Sequence, residues 1–244
     1  MALGASLGRA VLVAALLAPL GGWAGAEEGV GVLAGRVRIA GRVPEAVEVA
    51  VAKDRGTCGA AQAVRAFQVD QEGGLAEAAV LLPDLPGPPS AAAPTLDNLG
   101  CRFAPALQVL PPGALLSIRN SDRILHSAHA IDERGATRFH VALPIFREET
   151  LAAVGPSGFL RIRCDVGHPW MRAGIVVTGG PAAITDSAGR FWIAGVRAGV
   201  HRLLLWHDAL GLREQAVTVV PGGETWVEWA VEAPAAPGSR ARVR

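Results

Sequence analysis

Glycine and proline interrupt almost every apolar run of this chain. Its 244 residues include 30 Gly and 17 Pro, and few stretches between them reach the length of a globular helix. Half of the residues are hydrophobic and 18% are charged, so there is ample apolar surface to bury and no compositional case for disorder. Short apolar runs bounded by turn-forming residues read as strands. The expectation is therefore an all-β protein with many turns.

The runs fall into two groups. In the first, Val30 to Arg38 alternates as a strand does, and Val47 to Ala52 reads as another. Leu75 to Leu82 reads as a strand or a short helix, and Pro83 to Pro94 as an exposed loop. Ala106 to Leu110 and Leu115 to Arg119 are strand candidates on either side of a Pro111-Pro112-Gly113 turn. Gly158 to Cys164 and Gly174 to Thr178 complete this group. After Gly179-Gly180 come four closely spaced candidates: Phe191 to Val196, Arg202 to Trp206, Ala216 to Val220 and Thr225 to Val231. Their spacing suits a small antiparallel sandwich. The division is a first unit over 27–180, a second over 181–234 and a tail over 235–244. Which unit takes the 30–38 strand stays open.

Met1 to Ala26 has one charge, Arg9, an apolar stretch from Ala10 to Leu20, and a small-residue site at Ala24-Gly25-Ala26. This reads as a secretory signal cleaved after Ala26, with an uncleaved anchor as the alternative. The apolar stretch is shorter than the roughly 20 residues a bilayer span needs, and no other segment is long enough. The expected mature chain is periplasmic or secreted and has no membrane span. It keeps 22 of the 23 basic residues and all 22 acidic ones, which leaves no net charge. Mixed charge without a basic stripe points away from nucleic acid.

Export permits disulfides. The three cysteines are Cys58, Cys101 and Cys164. An odd count leaves one over, and the simplest division pairs Cys58 with Cys101 and leaves Cys164 free. A bound metal would protect that thiol; a buried, inert cysteine is the alternative.

Two segments carry the chemistry. One runs from Asn120 through Asp122 to His126 and His129. The other, Cys164-Asp165-Val166-Gly167-His168-Pro169-Trp170-Met171, offers a thiolate, an imidazole and a thioether in one short loop at the end of an alternating strand. Soft sulfur with imidazole selects copper, and two His with one Cys and a weak axial Met make an electron-transfer site. Zinc is the competing ion for Cys and His, but thioether ligation favours copper. His129 is the alternative to His126, although a strand would turn it to the opposite face. Ser127 is a candidate to hydrogen-bond across to the Cys164 loop, and Trp170 to shield the site. His140 reads as a surface or loop residue, and His201 and His207 belong to the second unit.

Phe103, Pro105, Val109, Gly113, Asn120, Asp122 and His126 resemble the plastocyanin-type cupredoxin pattern, most closely over 100–178. That resemblance implies a Greek-key β-barrel or sandwich and one copper ion held by His126, Cys164, His168 and Met171. The loop spacing departs from plastocyanin and is similar to the copper loop of cytochrome oxidase subunit II. There a second cysteine lies four residues earlier; here that position is Leu160, so one metal is expected rather than two.

Thr185-Asp186, Gly189-Arg190-Phe191, Gly195, Gly199 and Leu203 to His207 resemble the carboxypeptidase regulatory-like, transthyretin-like sandwich. That implies a structural or interaction module. No Gly-x-Ser-x-Gly elbow or His-Glu-x-x-His helix is present, so an enzyme is not expected. The leading expectation is copper electron transfer with a redox partner protein. The alternatives are a copper carrier or storage module, and an interaction protein with a degenerate site.

Overall fold

Hydrogen-bonded pairing sorts the strands into sheets that do not follow chain order. The computed structural model describes residues 29–87, 94–145 and 150–234. The expected signal over 1–26 and the tail over 235–244 lie outside the described residues, as do positions 88–93 of the expected loop. The first strands are β1 (Val30–Ala40), β2 (Val47–Ala50), β3 (Ala61–Val64), β4 (Ala79–Leu81), β5 (Thr95–Asn98), β6 (Phe103–Ala104), β7 (Leu107–Leu110), β8 (Leu115–Asn120) and β9 (His126–Asp132). They are followed by β10 (Thr137–Leu143), β11 (Thr150–Ala153), β12 (Gly158–Arg163), β13 (Arg172–Val177), β14 (Ala182–Ile184), β15 (Arg190–Arg197), β16 (Gly199–His207), β17 (Gly211–Val219) and β18 (Glu224–Glu232). One helical turn, α1 (Arg55–Cys58), lies between β2 and β3. The fold is all-β, as the Gly and Pro punctuation predicts.

One pair of sheets has strand orders β10-β9-β12-β13-β7 and β11-β8-β5-β6. The chain crosses between them after β6, β7, β8, β10 and β11, while β9–β10 and β12–β13 are antiparallel neighbours within one sheet. Alternation fills the space between: Leu116 and Ile118 from β8 meet Ala128, Ala130, Leu160 and Ile162 from β9 and β12 in one buried cluster. Leu160 points into this core, as a residue unfit to bind metal should. The β2–β3 pair and α1 close the site end, with Val51 and Cys58 in the same cluster.

The other pair has orders β15-β1-β18 and β14-β4-β16-β17. Here β1 lies between β15, antiparallel, and β18, parallel over nine residues, Val32↔Glu224 to Ala40↔Glu232. The strand at 30–38 thus joins the C-terminal strands. So does β4, which pairs with β14 and β16 and settles Leu75 to Leu82 as a strand at its end. A contiguous boundary at 180/181 does not describe these pairings, because β1 and β4 bury Leu33, Val37 and Val80 against Leu203, Leu205 and Val217. The Thr185 motif has a clear local role. Thr185 Oγ1 accepts the Ala78 N–H and donates to the Leu75 carbonyl, while Asp186 Oδ1 accepts the Ala188 and Arg190 N–H groups, each at 2.8 Å, closing the turn into β15.

The two sandwiches share a third apolar cluster. Leu107, Phe159 and Val176, on the outer face of the five-stranded sheet, pack on Ala79, Leu81, Leu204 and Trp206. Phe159 and Trp206 stack with centroids 5.5 Å apart, and Arg161 pairs with Asp208 at 2.6 Å beside them. Gly174 permits this approach: a Cβ there would lie 2.6 Å from the Trp206 ring.

Candidate metal centre

Cys164 directly follows β12, and His126 opens the neighbouring β9, so sheet pairing brings them together from positions 38 residues apart. The loop from Cys164 then folds back. Gly167 takes a left-handed conformation, φ 101°, and the Met171 N–H donates to the His168 carbonyl at 3.0 Å. His168-Pro169-Trp170-Met171 is thus a tight turn with proline at its second position, where a φ near −65° is already set. With Cys164 at its start, that turn is why three ligand candidates fit between β12 and β13.

Both imidazoles face the thiol with Nδ1. Cys164 Sγ is 3.9 Å from His126 Nδ1 and 3.6 Å from His168 Nδ1. Metal bonds of about 2.3 Å to sulfur and 2.0–2.1 Å to nitrogen, set in a trigonal plane, separate sulfur from nitrogen by about 3.8 Å. The observed spacing therefore fits one ion. His126 and His168 are fully buried, and Cys164 and Met171 nearly so. Met171 lies in the same apolar cluster as Cys164 and Trp170.

The far side of each ring is held by a carboxylate. His126 Nε2–H donates to Asp122 Oδ2 at 2.9 Å, and His168 Nε2–H donates to Asp54 Oδ2 at 3.1 Å. This fixes the tautomer that leaves each Nδ1 lone pair facing the thiol. Burial holds His126 below the ordinary imidazole range, although its bond to Asp122 opposes that. A buried neutral imidazole is the form a metal needs.

Asp122 is itself fixed. Its two oxygens accept the Gly100 and Cys101 N–H groups, both at 2.8 Å. Asn120 shapes the loop that carries it: Nδ2 donates to the Ile124, Leu143 and Pro144 carbonyls, and Oδ1 accepts the Asp122 N–H. Cys101 connects several parts of the site. Its carbonyl accepts the Trp170 indole N–H at 3.0 Å, and its sulfur is bonded to Cys58. Cys58 ends α1, and Asp54 precedes that turn with φ 62°. One disulfide therefore ties together the segments that hold both imidazoles.

No family model matches the chain, and no curated protein does. Several solved structures are similar to it. A purple cupredoxin from Nitrosopumilus maritimus is 19% identical, aligning with 35% of this chain and 99% of its own at a TM-score of 0.31. A copper-containing nitrite reductase from Thermus scotoductus is 22% identical over 36% of this chain and 23% of its own, TM-score 0.32. Amicyanin from Paracoccus versutus is 13% identical over 36% of this chain and 84% of its own, TM-score 0.31.

Three of the four sequence-predicted ligands come together, and Met171 lies in the apolar cluster beside them. His126, Cys164 and His168 form one buried group whose ligand atoms lie within 4.8 Å of one another. The Cys58–Cys101 disulfide is present and Cys164 is free. Ser127 bridges as expected: its N–H donates to Cys164 Sγ at 3.4 Å and its Oγ accepts the Asp165 N–H at 2.9 Å. His129 points to the outer face and away from the thiol, pairing with Asp165. His140 lies on β10 with its side chain exposed, the surface rather than the loop half of the expectation. Trp170 is buried, its ring 5.3 Å from that of His168. Sequence reasoning missed Asp54, whose position 114 residues before His168 gives no local sign of the contact.

Proposed function

We propose that the protein is an exported electron carrier with one copper ion in a cupredoxin-like Greek-key sandwich, held by His126, Cys164, His168 and Met171. One observation carries the reading: two Nδ1 atoms face one thiol at 3.6–3.9 Å while both outer nitrogens are held by carboxylates. Copper in such a set supplies one-electron transfer. The chain's own part is to keep the ligands still. Strand pairing fixes Cys164 and His126, the His168–Met171 turn fixes the loop, and Asp54 and Asp122 orient the rings. Burial excludes water and leaves little to reorganise when the charge changes.

The second sandwich, built from β1, β4 and β14–β18, reads as a transthyretin-like support or interaction module. A signal cleaved after Ala26 would deliver the chain to the periplasm or outside the cell, where an unidentified redox protein is the partner. Sequencing the N-terminus of exported protein tests this and should begin at Glu27. Among the described residues no helix is long and apolar enough to cross a membrane.

Loading wild-type and Cys164→Ser proteins with Cu(II) tests the centre. An intense visible thiolate-to-copper band is expected in the first and absent in the second. A reversible one-electron wave supports electron transfer; tight binding without such a wave supports a carrier or storage role.

A further inference from the structure

A second group of ligand-type side chains sits on the opposite face of the same sheet. His140 on β10 and His129 on β9 are directly paired across the strands, and their rings stack with centroids 4.4 Å apart. Asp165, the residue after Cys164, reaches both: Oδ2 is 2.6 Å from His129 Nδ1 and 3.6 Å from His140 Nε2. One ligand atom from each lies within 4.8 Å of the others.

We propose that His129, His140 and Asp165 form a second, solvent-facing site for a borderline divalent cation, Zn(II) or Cu(II). Two imidazoles and one carboxylate suit such ions, and three protein ligands leave positions open to water. Neighbouring groups prepare two of the three ligands. Thr137 Oγ1 lies 2.8 Å from His129 Nε2, so it can fix the ring with Nδ1 towards the carboxylate. Arg163 Nε takes Asp165 Oδ1 at 2.7 Å, which leaves Oδ2 for the imidazoles. The Asp165 N–H is held by Ser127 Oγ at 2.9 Å. The ligands stand on strands or beside one, and strands hold geometry better than free loops.

Coordination asks for three adjustments. The His129 and His140 rings, stacked with only 17° between their planes, must tilt apart so that their in-plane lone pairs converge on one ion. His129 Nδ1 and Asp165 Oδ2 must open from 2.6 Å to about 3.3 Å, the separation of two zinc ligands at 2.0–2.1 Å and tetrahedral angles. Arg163 Nη2, 3.4 Å from His129 Nδ1, must turn aside while Nε keeps Asp165 Oδ1; its side chain is more than half exposed. The site is separated from the thiol by the Cys164–Asp165 peptide bond but does not need copper there to form.

Calorimetric titration with Zn(II), on disulfide-intact protein, tests the proposal. Cys164→Ser protein should keep one binding event that disappears with His140→Ala and with the near-isosteric Asp165→Asn. Thr137→Val should weaken it by roughly 10–100-fold. Wild-type protein should show the same His140-dependent event, which guards against a folding defect in the Cys164 variant. No Zn(II) event in either background, or one that survives both His140→Ala and Asp165→Asn, overturns the site. Neither result depends on the visible copper band, so this proposal and the copper centre can fail separately.

Discussion

Replacing both Cys58 and Cys101 with serine should cost stability and loosen the metal centre together. The bond joins residues 43 apart in sequence. Chain-entropy reasoning assigns a loop of that size roughly 13 cal/mol/K, or about 4 kcal/mol at 25 °C. For a chain of this size each kcal/mol moves Tm by about 2–4 °C, so the double variant should melt about 8–16 °C lower. The centre should respond because Asp54 lies just before α1 and Asp122 is bound to the Gly100 and Cys101 N–H groups. If either carboxylate drifts, a buried imidazole N–H is left unpaired at about 1–3 kcal/mol, which weakens copper binding about 5–150-fold. The assay is thermal unfolding of metal-free protein by circular dichroism, followed by copper titration. A Tm within about 3 °C of wild type and an unchanged copper affinity would refute the reasoning, as would three free thiols in unreduced, denatured protein.

Other variants probe separate parts of the account. Gly174→Ala should drive a methyl into Trp206 and Leu107 Cδ1, costing about 1–3 kcal/mol in chemical denaturation. Burial pushes His207 down to about 4, with the Asp208 carboxylate opposing. The folded state therefore binds this proton more weakly than the unfolded one. Stability should fall as pH drops from about 6.5 to about 4, by on the order of 3 kcal/mol, and His207→Gln should remove that part of the loss in a Tm-versus-pH series. Asp54→Ala removes a carboxylate that favours the more positive oxidised centre. Voltammetry should show a higher potential, by about 60 mV for each 1.4 kcal/mol of differential stabilisation lost.

Signals in the sequence are legible where they lie within one element. Alternation in Gly158 to Cys164 places Leu160 and Ile162 inward and leaves Arg161 and Arg163 exposed. The ligand loop is legible because His168 and Met171 follow Cys164 within one turn. Partner choice is different, because pairing depends on packing against distant neighbours rather than on a strand's own residues. Nothing in Val30 to Arg38 says that it will lie between β15 and β18, nor does Ala79 to Leu81 announce β16 as its neighbour. Very short strands such as β6, Phe103–Ala104, are too brief to show a period. Asp54 is the instructive omission. Its role depends on a positive φ and on a disulfide that returns α1 to the site. The cysteine count could suggest that disulfide but not what it would bring with it.

The most direct test of the central claim is the saturation of the thiolate-to-copper band. Cu(II) added stepwise to disulfide-intact His140→Ala protein, in which the outer His129–Asp165 site no longer competes for the ion, should raise the band linearly to one equivalent and no further. No band at all, or growth that continues to two equivalents, would contradict a single copper held at Cys164.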